Sequence, residues 1–264
     1  MNTSRYTSLF GRRGWKALVL LLSLGALHGC GGGGSDGGTN ANPNGYYGVD
    51  GTAHVNNTDV TNVQGMIHDG QFVMLSDAAR LAYHGTIAVS RSTFTGEVTV
   101  YENGVAVATQ VPVAGMISEG QFIDGRLEGT GLGSGTFRLS YDSVANAVEV
   151  KNSDLFAVNW KSVSVSDFFS IVVDDDPSTN ITYGFQPYLG TFDECNFSGR
   201  IDPVATHLYA VSVTMHHCTN VGIYSEPTYR GLATLRTENP TTPNDRLVFA
   251  ISNGNYSVNG EFMP

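Results

Sequence analysis

The sequence predicts an all-β fold built from antiparallel meanders. Valines alternate with smaller or polar residues on both sides of Asn103-Gly104, a dipeptide that readily takes the positive backbone angles of a tight hairpin turn. Large apolar residues alternate in the same way over residues 247–258, around Asn253-Gly254. No window of adequate length has the apolar period of an amphipathic helix. The chain is therefore expected to consist of β-hairpins.

Further alternating runs predict strands in chain order, because side chains of a strand point to opposite faces in turn. These runs cover residues 46–55, 80–89, 135–141, 168–173, 208–215 and 229–235. Residues 77–81 have room for one helical turn at most, and residues 153–162 are ambiguous. In residues 208–215 the large groups share one face, which predicts that this face lines a core.

An internal repeat supports a meander. Residues 63–72 and 113–122 are identical at seven of ten positions, at a spacing of 50 residues. Each copy contains an acidic residue followed by glycine between apolar groups, which predicts a hairpin tip. Two copies are too few for a solenoid or propeller. Met66 and Met116 are interpreted as core residues, with a shared ligand motif as the alternative.

The chain after the leader is long enough for two β domains of about 100 residues each. We expect two barrel-like or sandwich-like halves, over residues 45–150 and 151–264, and the alternative is one larger barrel. Residues 30–44 are mostly glycine and small polar residues, which predicts a flexible tether.

Residues 1–29 have the layout of a secretory signal peptide, with four basic residues and no acidic one before an apolar stretch. That stretch is shorter than the roughly 20 residues of a membrane span. It ends in Leu27-His28-Gly29-Cys30, which resembles the lipobox of bacterial lipoproteins, although His28 is an unusual middle residue. The resemblance implies cleavage before Cys30, diacylglyceryl transfer to its thiol and acylation of the new amino terminus, typically with palmitate. The alternative is secretion without a lipid.

Position 31 is glycine and not the aspartate that commonly retains lipoproteins at the inner membrane of Gram-negative cells, so the resemblance implies an outer-membrane location. The mature chain would keep 10 basic and 24 acidic residues, a net charge of −14. This acidity argues against nucleic acid as a partner. It also leaves membrane attachment to the anchor on Cys30, since anionic headgroups repel an acidic surface.

Two further cysteines, Cys195 and Cys218, would face an oxidising compartment after export, where such a pair normally forms a disulfide. They flank residues 197–201, a turn expected at Asp202-Pro203, and the predicted strand 208–215. A hairpin folded near residues 206 and 207 would bring the two cysteines opposite each other. The bridge would stabilise the fold by roughly 3 kcal/mol.

Three segments contain residue types that are found at chemical sites, but none matches the pattern of such a site. His216-His217-Cys218 contains zinc-ligand types, but adjacent strand residues point to opposite faces. Residues 174–180 alternate oxygen ligands yet lack the glycine and distant glutamate of an EF-hand loop. Residues 129–135 are rich in glycine but match neither a nucleophile elbow nor a dinucleotide-binding loop. We therefore expect no catalytic, cofactor or metal site.

From Trp160 onward the order of motifs resembles a group of uncharacterised proteobacterial lipoproteins. The matching motifs are Cys195-Asn196-Phe197-Ser198-Gly199-Arg200-Ile201, Leu208-Tyr209-Ala210-Val211, Cys218 and Tyr229-Arg230-Gly231-Leu232-Ala233-Thr234-Leu235. With the signal and the start at Tyr46-Tyr47-Gly48, the resemblance covers most of the chain. It implies an exported β framework and carries no known activity.

The expected function is that of a non-enzymatic envelope lipoprotein that binds a partner protein or has a structural role. The first alternative is a carrier that holds a small apolar ligand inside a lipocalin-like barrel, with inward aromatics such as Phe137, Tyr209 and Phe249. The second alternative is an envelope hydrolase with converging carboxylates. A cavity would favour the carrier, a filled interior with an exposed apolar patch would favour the partner-binding protein, and convergent carboxylates would favour the enzyme.

Overall fold

The computed structural model describes residues 39–151, 154–155, 159–162, 167–173, 181–187, 196–216, 228–238 and 244–264. The signal peptide, Cys30, Cys195, Cys218 and residues 174–180 lie outside these ranges, so the predictions for them stay predictions. Within the described ranges, no helix has the length and apolar character needed to cross a membrane. The regular structure there is β-strand with short 3₁₀ turns, as the sequence predicts.

The N-terminal half is a closed antiparallel barrel of eight strands, each paired with the next one along the chain. Strand β1 closes the ring by pairing with β8, with Ala53 opposite Phe137. The strands are β1 (Gly45–Val55), β2 (Thr58–His68), β3 (Gln71–Ser76), β4 (Leu81–Ser90), β5 (Thr93–Glu102), β6 (Val105–Ser118), β7 (Phe122–Glu128) and β8 (Ser134–Ser140).

The C-terminal half is a second closed barrel. Strands β12 to β16 form a continuous antiparallel sheet, and three further strands complete the ring, with β16 pairing with β9. The strands are β9 (Asn159–Ser162), β10 (Asp167–Val173), β11 (Ile181–Pro187), β12 (Asn196–Ala205), β13 (Leu208–His216), β14 (Thr228–Arg236), β15 (Arg246–Ser252) and β16 (Ser257–Met263). The expected pair of barrel-like halves is confirmed.

The predicted hairpins are present. Asn103 and Gly104 have φ values of 50° and 78°, the left-handed conformation that their turn requires. Ser252 pairs with Ser257 around the second predicted turn. The repeated segments form the β2–β3 and β6–β7 hairpins, with their acidic-glycine pairs at the tips.

One expectation about these hairpins is wrong, because strand β12 continues through Asp202 and Pro203, which pair with Ala210 and Tyr209, and no turn lies there. The hairpin folds at residues 206 and 207, as expected. Val105 and Val107 are exposed, although Val98 and Val100 across the turn are buried. Register shifts in the β5–β6 ladder interrupt the simple alternation, and Ala108 pairs with Val100.

Each barrel encloses its own apolar core. Phe137 lies in the N-terminal core, and Tyr209 and Phe249 lie in the C-terminal one, as their alternation predicts. Trp160 is also buried in the C-terminal core. Since the interior faces of small barrels are filled by side chains, these clusters account for the inward half of the strand pattern.

Candidate functional site

The most distinctive feature of the described chain is a third apolar cluster, formed by outward-facing side chains of both barrels. We call it the junction. It combines residues of the first barrel and its exit segment with residues of the second barrel: Tyr46, Met66, Val73, Leu75, Ala82, Tyr101 and Ala145, and Leu208, Leu232, Val248 and Ala250. Because all are buried, the two barrels bury one another's outer surfaces.

Two strands explain how the sequence makes this contact. In β3, Phe72 and Met74 face the N-terminal core while Val73 and Leu75 face the junction. In β15, Val248 and Ala250 alternate with the residues predicted to face inward, and they likewise face the junction. A strand that is buried on both faces has a continuous apolar run instead of an alternating one.

A polar network crosses the junction. The Tyr46 hydroxyl donates to Gln64 Oε1 at 2.6 Å. The Gln64 side-chain amide donates to Glu261 of the second barrel, and Arg236 donates to the other Glu261 oxygen at 2.6 Å. Burial and the neighbouring negative charge of Glu261 raise the pKa of Tyr46, so its hydroxyl remains a donor. The network leaves both Glu261 oxygens engaged.

Two buried histidines also lie in the junction. His84 in β4 contacts Asn259 Oδ1 through Nε2 at 2.8 Å and packs edge-on against Tyr101. His207, in the β12–β13 turn, accepts the Tyr46 backbone N–H on Nε2 at 3.2 Å. Asn146 accepts the same N–H at 2.9 Å and returns a bond to the Tyr46 carbonyl at 2.7 Å.

Backbone pairing extends the junction at the far end of the first barrel. The β5–β6 turn meets the β15–β16 turn, where the Ala106 N–H donates to the Asn255 carbonyl and the Ser257 N–H donates to the Gly104 carbonyl, each at 2.9 Å. Backbone, apolar and polar contacts thus join the barrels at several points. Residues 38–264 accordingly form one compact unit.

A second feature lies where the chain enters the first barrel, which we call the tether end. The Asp69 N–H, at the tip of one repeat hairpin, donates to Asn44 Oδ1 at 3.1 Å. The Asn42 N–H donates to Glu119, at the tip of the other repeat hairpin, at 3.1 Å. The Ala41 N–H donates to the Arg91 carbonyl in the β4–β5 turn at 2.7 Å. The last part of the predicted tether thus contacts three turns of the barrel.

The interior of the first barrel leaves little space. A cavity of about 10 Å³ lies near the end opposite the tether, lined mainly by apolar side chains of β1 to β4. That volume corresponds to roughly one water molecule. The glycine-rich residues 129–135 pass over this end as a 3₁₀ turn, and the Tyr83 hydroxyl donates to the Leu132 carbonyl at 3.0 Å.

The predicted site residues are only partly placed. Cys30, Cys195 and Cys218 lie outside the described residues, but the hairpin expected between the last two is present, with Asn196 opposite His216. Residues 129–135 are described, and residues 131–133 form the 3₁₀ turn over the barrel end, directly before β8. In the described ranges no three His, Cys, Asp or Glu side chains converge as metal ligands would.

The sequence patterns did not reveal the junction, although two signals for it are present. One is the uninterrupted run Phe72-Val73-Met74-Leu75, and the other is the apolar filling of residues 247–251. Gln64, His84, His207 and Glu261 gave no signal, because polar residues in strands and turns are ordinarily solvent-facing. No protein-family model, curated protein or solved structure gives a significant match to this chain.

Proposed function

We propose that this protein is an exported envelope lipoprotein, anchored through Cys30, which presents a joined pair of β-barrels to a partner protein and has no catalytic role. The packed interior of the first barrel is the observation that favours a partner-binding protein over a ligand carrier. Twenty-one buried side chains form its core, and the cavity beside them is about 10 Å³. Apolar ligand pockets are typically about 300–1,000 Å³.

The docked tether gives the proposal an orientation. Ten residue steps separate Cys30 from Asn40, a reach of at most about 35 Å when fully extended. A glycine-rich chain of that length has a typical span of roughly 17 Å. The tether end would therefore face the outer membrane at short range. The turns at the opposite end, around residues 56–58, 77–80 and 129–133, would face the partner.

Fractionation of the native host tests the anchor. Wild-type protein should stay with membranes, while Cys30→Ser exported by a conventional cleavable signal peptide should appear in the soluble exported fraction, because the lipid is then the only membrane attachment in the proposal. A Cys30→Ser chain that stays membrane-bound would contradict the anchor.

Non-reducing peptide mapping of the exported chain should join Cys195 to Cys218, and two free thiols would refute that bridge.

Site-specific photo-cross-linking in the host tests the partner surface. A photoreactive residue at exposed Thr58, on the end opposite the tether, should give a discrete adduct of reproducible mass. The matched control is exposed Ser92, at the tether end, which should give no such adduct. Equal adducts from both positions would contradict the orientation, and none from either would contradict a partner at these barrel ends.

The carrier is the second candidate, because a closed β-barrel is compatible with ligand carriage. Native mass spectrometry of the exported soluble chain distinguishes the two functions. Partner binding predicts the mass of the bare chain. A reproducible excess of a few hundred daltons, lost on denaturation, would establish the carrier instead.

A further inference from the structure

The two junction histidines are held in positions where neither has a charged partner in direct contact. His84 and His207 are 7% and 6% exposed. His84 bonds to a side-chain amide and His207 to a backbone N–H. A buried imidazolium is costly unless an acceptor or an opposite charge compensates it.

The bond at His207 fixes its protonation state. A backbone N–H can only donate, so Nε2 of His207 must present its lone pair to Tyr46. The ring proton then sits on Nδ1, which is buried without a hydrogen-bond partner among the described residues. A second proton would have to enter at Nε2, where it would face the Tyr46 N–H and break that bond, leaving Asn146 Oδ1 as the acceptor of the N–H.

His84 is neutral for a different reason. Its Nε2 faces Asn259 Oδ1, while the Asn259 amide nitrogen donates to Ser257 Oγ at 2.8 Å, which fixes the oxygen toward the histidine. Nε2–H is therefore the donor, and no second proton is needed for this contact across the junction. The edge of Tyr101 lies against the ring and supplies no negative charge.

The surrounding charges do not reverse the preference of the two histidines for the neutral ring. Around His207, Asp142 and the Asn146 carbonyl favour the charged ring, whereas His68 disfavours it. Elsewhere in the junction, Arg236 and Glu261 pair with one another. Burial has the largest effect and lowers the pKa of both His84 and His207 to about 4.

We propose that His84 and His207 make the junction an acid-sensitive contact, which parts when both imidazoles take up a proton. Separated barrels expose both rings to water, where they bind protons more readily than in the joined state. The junction is therefore complete above pH 6.5 and weakens as the pH falls toward 4. At pH 5 each histidine favours separation by about thirtyfold, from the difference between a pKa of about 4 and the ordinary 6.5.

The experiment is small-angle X-ray scattering of the exported soluble chain, carrying Cys30→Ser, from pH 7.5 to pH 4. A compact body of this size has a radius of gyration of about 17 Å. We expect that value at pH 7.5 and a reversible increase near pH 4 to 5, with far-UV circular dichroism unchanged and with a forward-scattering mass that remains that of one chain at high dilution. Fluorescence of Trp160, buried in the second barrel, reports that this barrel stays folded.

The double variant H84Q/H207Q should stay compact down to pH 4, since glutamine keeps a donor for Asn259 and an acceptor for Tyr46 without an ionisable ring. The control His54→Gln, at an exposed histidine bonded to Asp59, should separate like the parent. If the double variant fails to fold, each single variant should shift the transition to lower pH. A parent chain that remains compact at pH 4, or a folded double variant that separates at the parent's pH, would overturn the proposal.

Discussion

The two copies of the internal repeat both form hairpins, but they differ in turn length and in environment, since His68 pairs with Gln71 in the first and Ser118 pairs with Phe122 in the second. Met66, in the β2–β3 copy, is 0% exposed in the junction, whereas Met116, in the β6–β7 copy, is 57% exposed. The interpretation of both as core residues is thus right for the first and wrong for the second. The comparison shows that the hairpin is encoded locally, while the burial of its outer face depends on the second barrel.

One substituted position and one identical position follow this division. Gln64, which bridges Tyr46 and Glu261, is replaced by Ala114 in the other copy. Phe72 packs inside the barrel 5.8 Å from Phe137, whereas Phe122 lies beneath the Arg138 guanidinium at 3.9 Å. The first copy is therefore adapted to the junction and the second copy to solvent.

The largest effect expected from this comparison is at the paired methionines. Met66→Ala should lower the free energy of unfolding by about 2–5 kcal/mol, because it leaves a cavity between the barrels. Met116→Ala should change it by less than about 0.5 kcal/mol. Urea unfolding of the soluble exported chain, followed by circular dichroism, measures both. Equal effects would show that the exposure difference has no energetic consequence.

The paired glycines should show the opposite order of stability losses, with the larger loss in the β6–β7 copy. A Cβ on Gly115 would lie against the Asp124 carbonyl and 2.7 Å from the Gly125 Cα, so Gly115→Ala must displace backbone and should cost about 3 kcal/mol. A Cβ on Gly65 would meet the Leu139 Cδ1 at 2.6 Å, a side-chain end that can rotate. Gly65→Ala should cost about 1 kcal/mol in the same urea experiment. A larger loss at Gly65 would contradict this explanation.

At the substituted position, Gln64→Ala should cost about 2 kcal/mol, because it leaves the buried Tyr46 hydroxyl and a Glu261 oxygen without their partner. Ala114→Gln, on the outer face of the other copy, should be nearly neutral. The urea midpoints of the two variants measure the difference. A neutral Gln64→Ala would mean that water replaces the amide at no cost.

The smallest effect is expected at the hairpin tips. Glu119→Ala removes the acceptor of the Asn42 N–H and should cost at most about 1 kcal/mol. Its signature is local: hydrogen exchange should accelerate at residues 40–44 and remain unchanged in β3. Glu119→Gln, which retains an acceptor oxygen, is the control and should protect those amides. Uniform exchange changes across the barrel would indicate a global effect.

The sequence predicts the hairpins and barrel interiors because both depend on local signals. Asn103-Gly104 selects its turn by backbone geometry, and Leu247, Phe249 and Ile251 show their shared face by alternation. The junction depends instead on contacts between residues far apart in the chain. Tyr46 and His207 meet across 161 positions, and no local pattern connects them. The docking of Asn42 and Asn44 was missed for a related reason, since their composition is typical of linkers.

The two-sided burial of β3 has a consequence for dissecting this protein. A boundary near residue 150 divides the chain into its two barrels. Cutting the chain there would not give a soluble N-terminal half. An excised N-terminal barrel would carry Tyr46, Met66, Val73 and Leu75 into water as a contiguous apolar patch. Such patches promote association, so the isolated half should self-associate or aggregate even with every one of its own strands intact.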